Sequence, residues 1–515
     1  MLSASPCPDE NNKMPAEHLD VIVIGAGLSG IGMACHMSRM CPEYSVAILE
    51  RRQAIGGTWD LFRYPGVRSD SDMFSFGYQF RPWNDLQVLA DGESIRRYIS
   101  DTAAEYKINE KIRFGLDITQ ANWSSTEKLW TLTATQLSSG ETLQFTCRFL
   151  ISCTGYYNYH QGYLPEFPGA ERFGGQCIHP QAWPEDLDYR GKKVVIIGSG
   201  ATAITLVPAM AATAAHVTMV QRSPSYIFSV PSRDAIAGFL KKVLPDSWVY
   251  HFTRQRNIRI QRWMYRAAKR WPNGTRNFLL KQVRKQLNNP DDMRHFIPEY
   301  MPWDQRLCAV PDADLFQAIN AGKVSVETDQ IETFTEHGLL LRSGKEIEAD
   351  IIVTATGLQV QVLGGMQLTL DGKPFAIHEQ MTYKAVMMQN LPNMGWIMGY
   401  TNASWTLKAD IAAQYLCRVL KHMDQHHYQV VVPLGGEESA LPSSIMGALE
   451  AGYVQRANAV LPRQGKGLPW RVLNDYLQDS EMLMKESLDD GILAFDPPEA
   501  SVKPVLARKD ASEAA

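Results

Sequence analysis

The chain has no stretch approaching eighteen consecutive apolar residues, so no part of it reads as a membrane span. Its N-terminus, MLSASPCPDENNKMPAEH, lacks a basic segment followed by an apolar one; a secretory leader is not expected, and residues 1–18 read as a polar, disordered arm. The eight cysteines are scattered, with no C-x-x-C pair and no zinc-type spacing, so they read as reduced thiols in a cytoplasmic protein with no metal. Nor is there a surplus of one charge: a net charge of −4 argues against a general affinity for nucleic acid. What remains is ordinary for a large soluble globular protein, 515 residues with 45% apolar and 21% charged side chains, enough for two or three domains.

Two segments share one design, DVIVIGAGLSGIGMA from Asp20 and KVVIIGSGATAITLV from Lys193. Each is a β-branched run, a glycine turn, then small and apolar residues at helical spacing, the opening of a Rossmann unit. In such a turn the first glycine (Gly25, Gly198) bends the chain and the second (Gly27, Gly200) lets the backbone approach a pyrophosphate. The third position (Gly30, Ala203) lets helix pack on strand, with the phosphate at the helix N-terminus beside Ser29, or beside Ser199, Ala201 and Thr202. One such signature is weak evidence; two, each after a predicted strand, are strong.

The next strand end after each turn distinguishes their ligands. The run SVAILE ends in Glu50, twenty residues beyond Gly30, where a carboxylate can accept hydrogen bonds from ribose hydroxyls. The run VTMVQRS instead ends in Arg222 and Ser223, which suit a 2′-phosphate and so favour NADPH over NADH; the plainer alternative is a solvated strand-end charge.

Two further strand-like runs, FLISCTG and ADIIVTATG, end in glycine and bracket the second unit. The expected architecture is α/β with two Rossmann-type dinucleotide-binding domains, one inserted in the other. The FAD-binding domain takes residues 19–155 and 354–500, a linker 156–190, the NADPH-binding domain 191–353, and a polar tail 501–515. A helical insertion is expected over about 235–300. Within it, residues 254–285 carry eleven Lys/Arg and no acid, with apolar residues at 279, 280, 283 and 287 at helical spacing. This reads first as a solvated basic face over an apolar stripe, with a membrane-surface contact or a nucleic-acid patch as alternatives.

A chain that binds FAD and NADPH can pass hydride from nicotinamide to flavin, and the next question is what takes the electrons. A protein disulfide is a poor answer, because ERRQAIGGTWDLFRYPGVRSD contains no cysteine where disulfide reductases place one, and no close pair occurs elsewhere. The other acceptor is O2. The stretch FGGQCIHPQAWP fits F-x-G-x-x-x-H-x-x-x-W-P through Phe173, Gly175, His179, Trp183 and Pro184.

That pattern resembles the fingerprint of the type I Baeyer-Villiger monooxygenases. GGTWDLFRYPGVRSDSDM, MPWDQRLCAVPDADLF, DIIVTATG and GYTNASWTLKAD are similar to the branch that holds ethionamide-activating and open-chain ketone monooxygenases. The resemblance implies oxidation of ketones to esters or lactones, and of thioethers, through a C4a-peroxyflavin made from NADPH, FAD and O2. It implies that Arg306 stabilises the peroxide and that Asp70 holds and tunes that arginine; a structural ion pair is the alternative. It places Gly57, Thr58, Trp59 and Ile118 along FAD, Arg68 and Ser69 at the nicotinamide end, and a helix N-terminus at Thr406 and Leu407 by the flavin pyrimidine. His179 becomes a positional residue that couples domain movement to the flavin, or else a satisfied loop histidine. One departure stands out: Gln305 occupies the place of a lysine that contacts the 2′-phosphate, which puts more weight on Arg222. An N- or S-oxygenating flavin monooxygenase and a nucleotide-sensing flavoprotein without turnover are the competing readings.

Overall fold

In the computed structural model, residues 16–498 other than 306 and 448 are described. The first glycine turn follows strand Glu17–Ile24, which begins two residues inside the segment read as an arm. This strand lies parallel between Val46–Glu50 and Thr142–Ser152. Covered on both faces, it reads as the continuous apolar run that a buried parallel strand requires. The antiparallel strands Leu116–Ser124 and Leu129–Gln136 extend the sheet, and the chain returns to it after the second unit through Gln367–Leu370 and Met394–Trp396.

Helix Leu28–Met40 covers this sheet and is fastened to helix Trp405–His426. His36 Nε2 lies 3.2 Å from Asp410 Oδ1, and the Tyr44 hydroxyl donates to the carbonyl of Leu420. The second unit is a five-stranded parallel sheet in the order 324–328, 216–221, 193–197, 351–354, 176–178. Its last strand, Gln176–Ile178, comes from the fingerprint stretch, so the segment expected to be a linker also supplies a sheet edge.

The helical insertion forms Ala235–Leu240, Asp246–Arg270 and Pro272–Gln286. Leu279, Val283 and Leu287 are buried, as the apolar spacing requires. The expectation of a merely solvated basic face is corrected. Arg254 is fully buried and donates from Nη1 to the carbonyls of Phe74, Ser75 and Gly77. Asn257 Nδ2 donates to Asp72 at 2.8 Å and Arg262 pairs with Asp475 at 2.8 Å. The long helix is thereby bound to the first unit although its sequence belongs to the second. Carbonyl dipoles and hydrogen bonds offset the cost of taking the guanidinium out of water.

Candidate functional site

The two glycine turns are built differently around the same logic. A Cβ on Gly30 would stand 1.8 Å from the carbonyl oxygen of Gly25, so helix and strand meet there only because position 30 has no side chain. Gly57 has φ +56°, and a Cβ on it would lie 2.9 Å from Gly27 Cα, so these two loops touch through bare backbone. Glu50 closes the cradle. Its buried carboxylate accepts the Ala26 N–H at 2.6 Å and the Arg52 N–H at 2.7 Å; burial raises its pKa, and those two bonds oppose the rise. At the second turn Gly200 faces open space and Ser199 Oγ donates to the carbonyl of Ser223 at 2.9 Å, while Arg222 is exposed.

A cavity of about 1000 Å³ runs from the first cradle to the second unit. Its wall includes Gly25, Gly27, Ser29 and Glu50 from the first turn and strand end, and Gly57, Thr58 and Trp59 from the adjoining loop. Arg68, Ser69, Asp70 and Ile118 line it further on, with Ala201, Thr202 and Gln305 on the second unit's side. Gly30, Gly198, Ser199, Gly200, Ala203, Arg222 and Ser223 are not in this wall; the first and fifth are packing positions, and the others follow the C-terminal ends of strands 193–197 and 216–221. Thr406 and Leu407 are buried behind the wall, where Leu407 packs with Ile258 and Tyr400. Arg306 lies outside the described residues.

Three polar atoms in the cavity wall, Arg68 Nε, Gln261 Oε1 and Asn402 Oδ1, are buried with no hydrogen-bond partner among the described residues. Buried polar groups are rarely left so, and all three belong to residues that line the cavity. Glycine floor, buried carboxylate and orphaned polar atoms together fit a dinucleotide. Arg68 also pairs through Nη1 with Asp314 at 2.7 Å, which fixes its guanidinium at the boundary between the units.

Sequence reasoning missed several residues here. Trp405 stacks on Tyr156 at a centroid distance of 5.3 Å and donates its indole N–H to Ser29 Oγ at 2.8 Å, tying the last long helix to the first glycine turn. Burial pushes the hydroxyls of Tyr64 and Tyr159 up to about 12, so both stay protonated at neutral pH. Tyr64 and Thr202 line the cavity from the two units. The alternation of apolar and polar residues carries no signal for single tyrosines brought together by the fold.

The fingerprint residues join the units. A Cβ on Gly175 would lie 2.3 Å from the carbonyl oxygen of Asp350, which lets Gln176–Ile178 pair as the sheet edge. Phe173 meets Phe334, and Trp183 packs on the second unit's core. Pro184 is exposed beside it. His179 Nε2 lies 3.2 Å from the carbonyl of Gly357, and Nδ1 accepts the N–H of Gln181. The outgoing and returning chains run together as a ribbon, Asn158 N–H to Gln359 O and Tyr163 N–H to Gly357 O, and Gln181 Nε2 ties in through Asn158 O.

Residues 18–426 match the family described as flavin-binding monooxygenase-like. The Mycobacterium tuberculosis protein MymA is 59% identical over 483 residues, 93% of this chain and 98% of MymA. The FAD-containing monooxygenase EthA of the same species is 49% identical over 482 residues, again covering 93% and 98%. Among solved structures, an oxidised steroid monooxygenase bound to NADP superposes with a TM-score of 0.75 at 20% identity, covering 93% of this chain and 99% of that one. OTEMO in complex with FAD and NADP gives 0.67 at 22%, covering 82% and 88%. These likenesses show the fold expected from the sequence, α/β with two dinucleotide-binding units. By the match over most of its length and by its close relatives, the chain belongs to the flavin-binding monooxygenase-like family and is a flavin monooxygenase.

Proposed function

We propose that the protein is an FAD-containing, NADPH- and O2-dependent monooxygenase that converts ketones to esters or lactones and also oxidises thioethers, in the cytoplasm. The observation that carries this reading is one cavity lined by the first glycine turn and by Ala201 and Thr202 at the start of the helix after the second, with His179 of the fingerprint tying the two chain crossings. The overall reaction balances: ketone, O2, NADPH and H+ give ester, NADP+ and water. Bound FAD supplies a ring that takes hydride from NADPH and activates O2.

The chain's own residues do the rest. The FAD-binding part comprises residues 19–155 and 354–500, and the NADPH-binding part 191–353. Glu50 holds the adenosine ribose, while Gly25, Gly27 and Gly57, bare backbone in the cavity wall, admit the pyrophosphate. Arg222 and Ser223 take the 2′-phosphate, with Gln305 in reach of the same dinucleotide. Trp59, Ile118 and Trp405 enclose the cavity with apolar surface, which excludes water from the reacting centre. Arg306, by its place in the WDQR motif, presents the fixed cation that stabilises developing negative charge, with Asp70 in the cavity wall as its carboxylate partner. Arg306→Ala should abolish ester formation from 2-octanone or acetophenone while flavin reduction by NADPH stays normal; retained ester formation would remove this assignment. A thioether panel run beside the ketones separates carbon from sulfur oxygenation.

A further inference from the structure

Ten of the fifteen large apolar side chains that stand exposed among the described residues fall within 236–278, the helical insertion. On helix Asp246–Arg270, Trp248, Phe252, Arg259, Trp263, Arg266 and Arg270 are all exposed. At 100° per residue they share an arc of about 60°, a single stripe on the face opposite Tyr250 and Arg254. Trp248 and Trp263 are each 67% exposed, far more than a packed aromatic would be. Phe239 and Val243, before this helix in the chain, and Trp271 and Phe278, after it, are exposed as well.

The charge on this surface is predominantly positive. Asp246, in the first turn, is the only acid in the long helix, and residues 254–285 contain none. Arg266 is held by Asp475, but Arg259 and Arg270 have no acidic partner among the described residues, nor do Lys281 and Lys285 on the next helix. Interleaved tryptophan, phenylalanine and arginine on one face suit an interface that is apolar below and anionic above, where aromatic rings sit at headgroup depth and cations meet phosphate. A second copy of the chain would bring like charges together and is disfavoured by the same feature. The surface also reaches the cavity: Ile236 and Ile260 are both exposed and both part of its wall.

We propose that this face of the insertion docks on an anionic lipid bilayer and turns the cavity mouth toward it, so that apolar substrates enter from the membrane. Docking stands on the surface alone, whereas substrate delivery rests on the ketone-oxidising function proposed for the cavity. The FAD-loaded full chain should float with vesicles of phosphatidylcholine and phosphatidylglycerol at low ionic strength. It should float less with phosphatidylcholine alone, and less with added salt. W248E, F252E and W263E combined should weaken partitioning about tenfold or more. None of these residues lines the cavity, so NADPH oxidation with a water-soluble ketone should be unchanged, which also shows that the variant is folded. A long-chain ketone dissolved in the vesicles should be oxidised more slowly by the variant than by the parent protein.

Failure of the parent chain to float at low salt would overturn the proposal. So would equal flotation of the triple variant, or tryptophan burial through self-association or nucleic-acid binding without vesicles. Equal rates on the vesicle-borne ketone would overturn the delivery step. Flotation needs no turnover, so a chain that docks but oxidises no ketone would keep the docking and defeat the reaction assignment.

Discussion

His179 ties the two crossings between the sheets, its Nε2 3.2 Å from the carbonyl of Gly357 and its Nδ1 3.2 Å from the N–H of Gln181. Only the neutral ring with its proton on Nε2 makes both bonds, donating one and accepting the other. The imidazole also fills space that a Cβ on Gly162 would occupy, so it is held on three sides.

Burial lowers the His179 pKa below its ordinary 6.5, and the bond to Gly357 opposes that only in part. The unfolded chain therefore binds the proton more readily, and stability from this ring is complete above about 6.5 and lost as pH falls below it. Thermal unfolding of the native protein and of His179→Ala, followed from pH 8 to pH 5, should show a gap of about 1 kcal/mol that narrows toward the acid end. A gap independent of pH would contradict the neutral clamp. NADPH oxidation by the variant should fall while its flavin content stays full.

Gly30 and Gly200 occupy different positions of the same motif and should fail in different ways. Gly30→Ala drives a Cβ to 1.8 Å from a backbone oxygen, and the expected loss is about 3 kcal/mol or more, read as poor yield of flavin-loaded protein. Gly200→Ala meets nothing within 4 Å, so the melting temperature should stay the same while KM for NADPH rises about tenfold. A thermally unstable Gly200→Ala with unchanged KM would reverse this assignment.

Glu50→Gln replaces one acceptor oxygen by an amide nitrogen that faces a backbone N–H, since both carboxylate oxygens already accept one. The expected cost is about 1–3 kcal/mol, together with weaker retention of flavin on dilution, measured by the flavin-to-protein absorbance ratio. Full flavin retention would show that Glu50 serves the fold alone.

If Arg222 takes the 2′-phosphate as proposed, Arg222→Ala should raise KM for NADPH about tenfold to a hundredfold and leave NADH unaffected. Equal effects on both dinucleotides would place the phosphate contact elsewhere.

The two glycine turns, the strand runs before them and the acid at Glu50 are legible in the sequence because a dinucleotide fold writes its close approaches as missing side chains at fixed spacing. The fingerprint is legible as a motif, but its physical roles are not. Gly175 against Asp350 and His179 against Gly357 are contacts across more than 170 positions of chain, which local spacing cannot report. The basic stretch misleads for the same reason: the groups that hold Arg254 and Arg262 lie at Phe74–Gly77 and Asp475. The Trp405–Ser29 bond likewise belongs to the assembled cavity.

Oxygen-isotope tracing tests the central claim most directly. With 18O2, NADPH and 2-octanone, one labelled oxygen should appear in the ester for each NADPH consumed, and the other in water. Stoichiometric release of hydrogen peroxide with no label in any organic product, whatever ketone or thioether is supplied, would contradict the account.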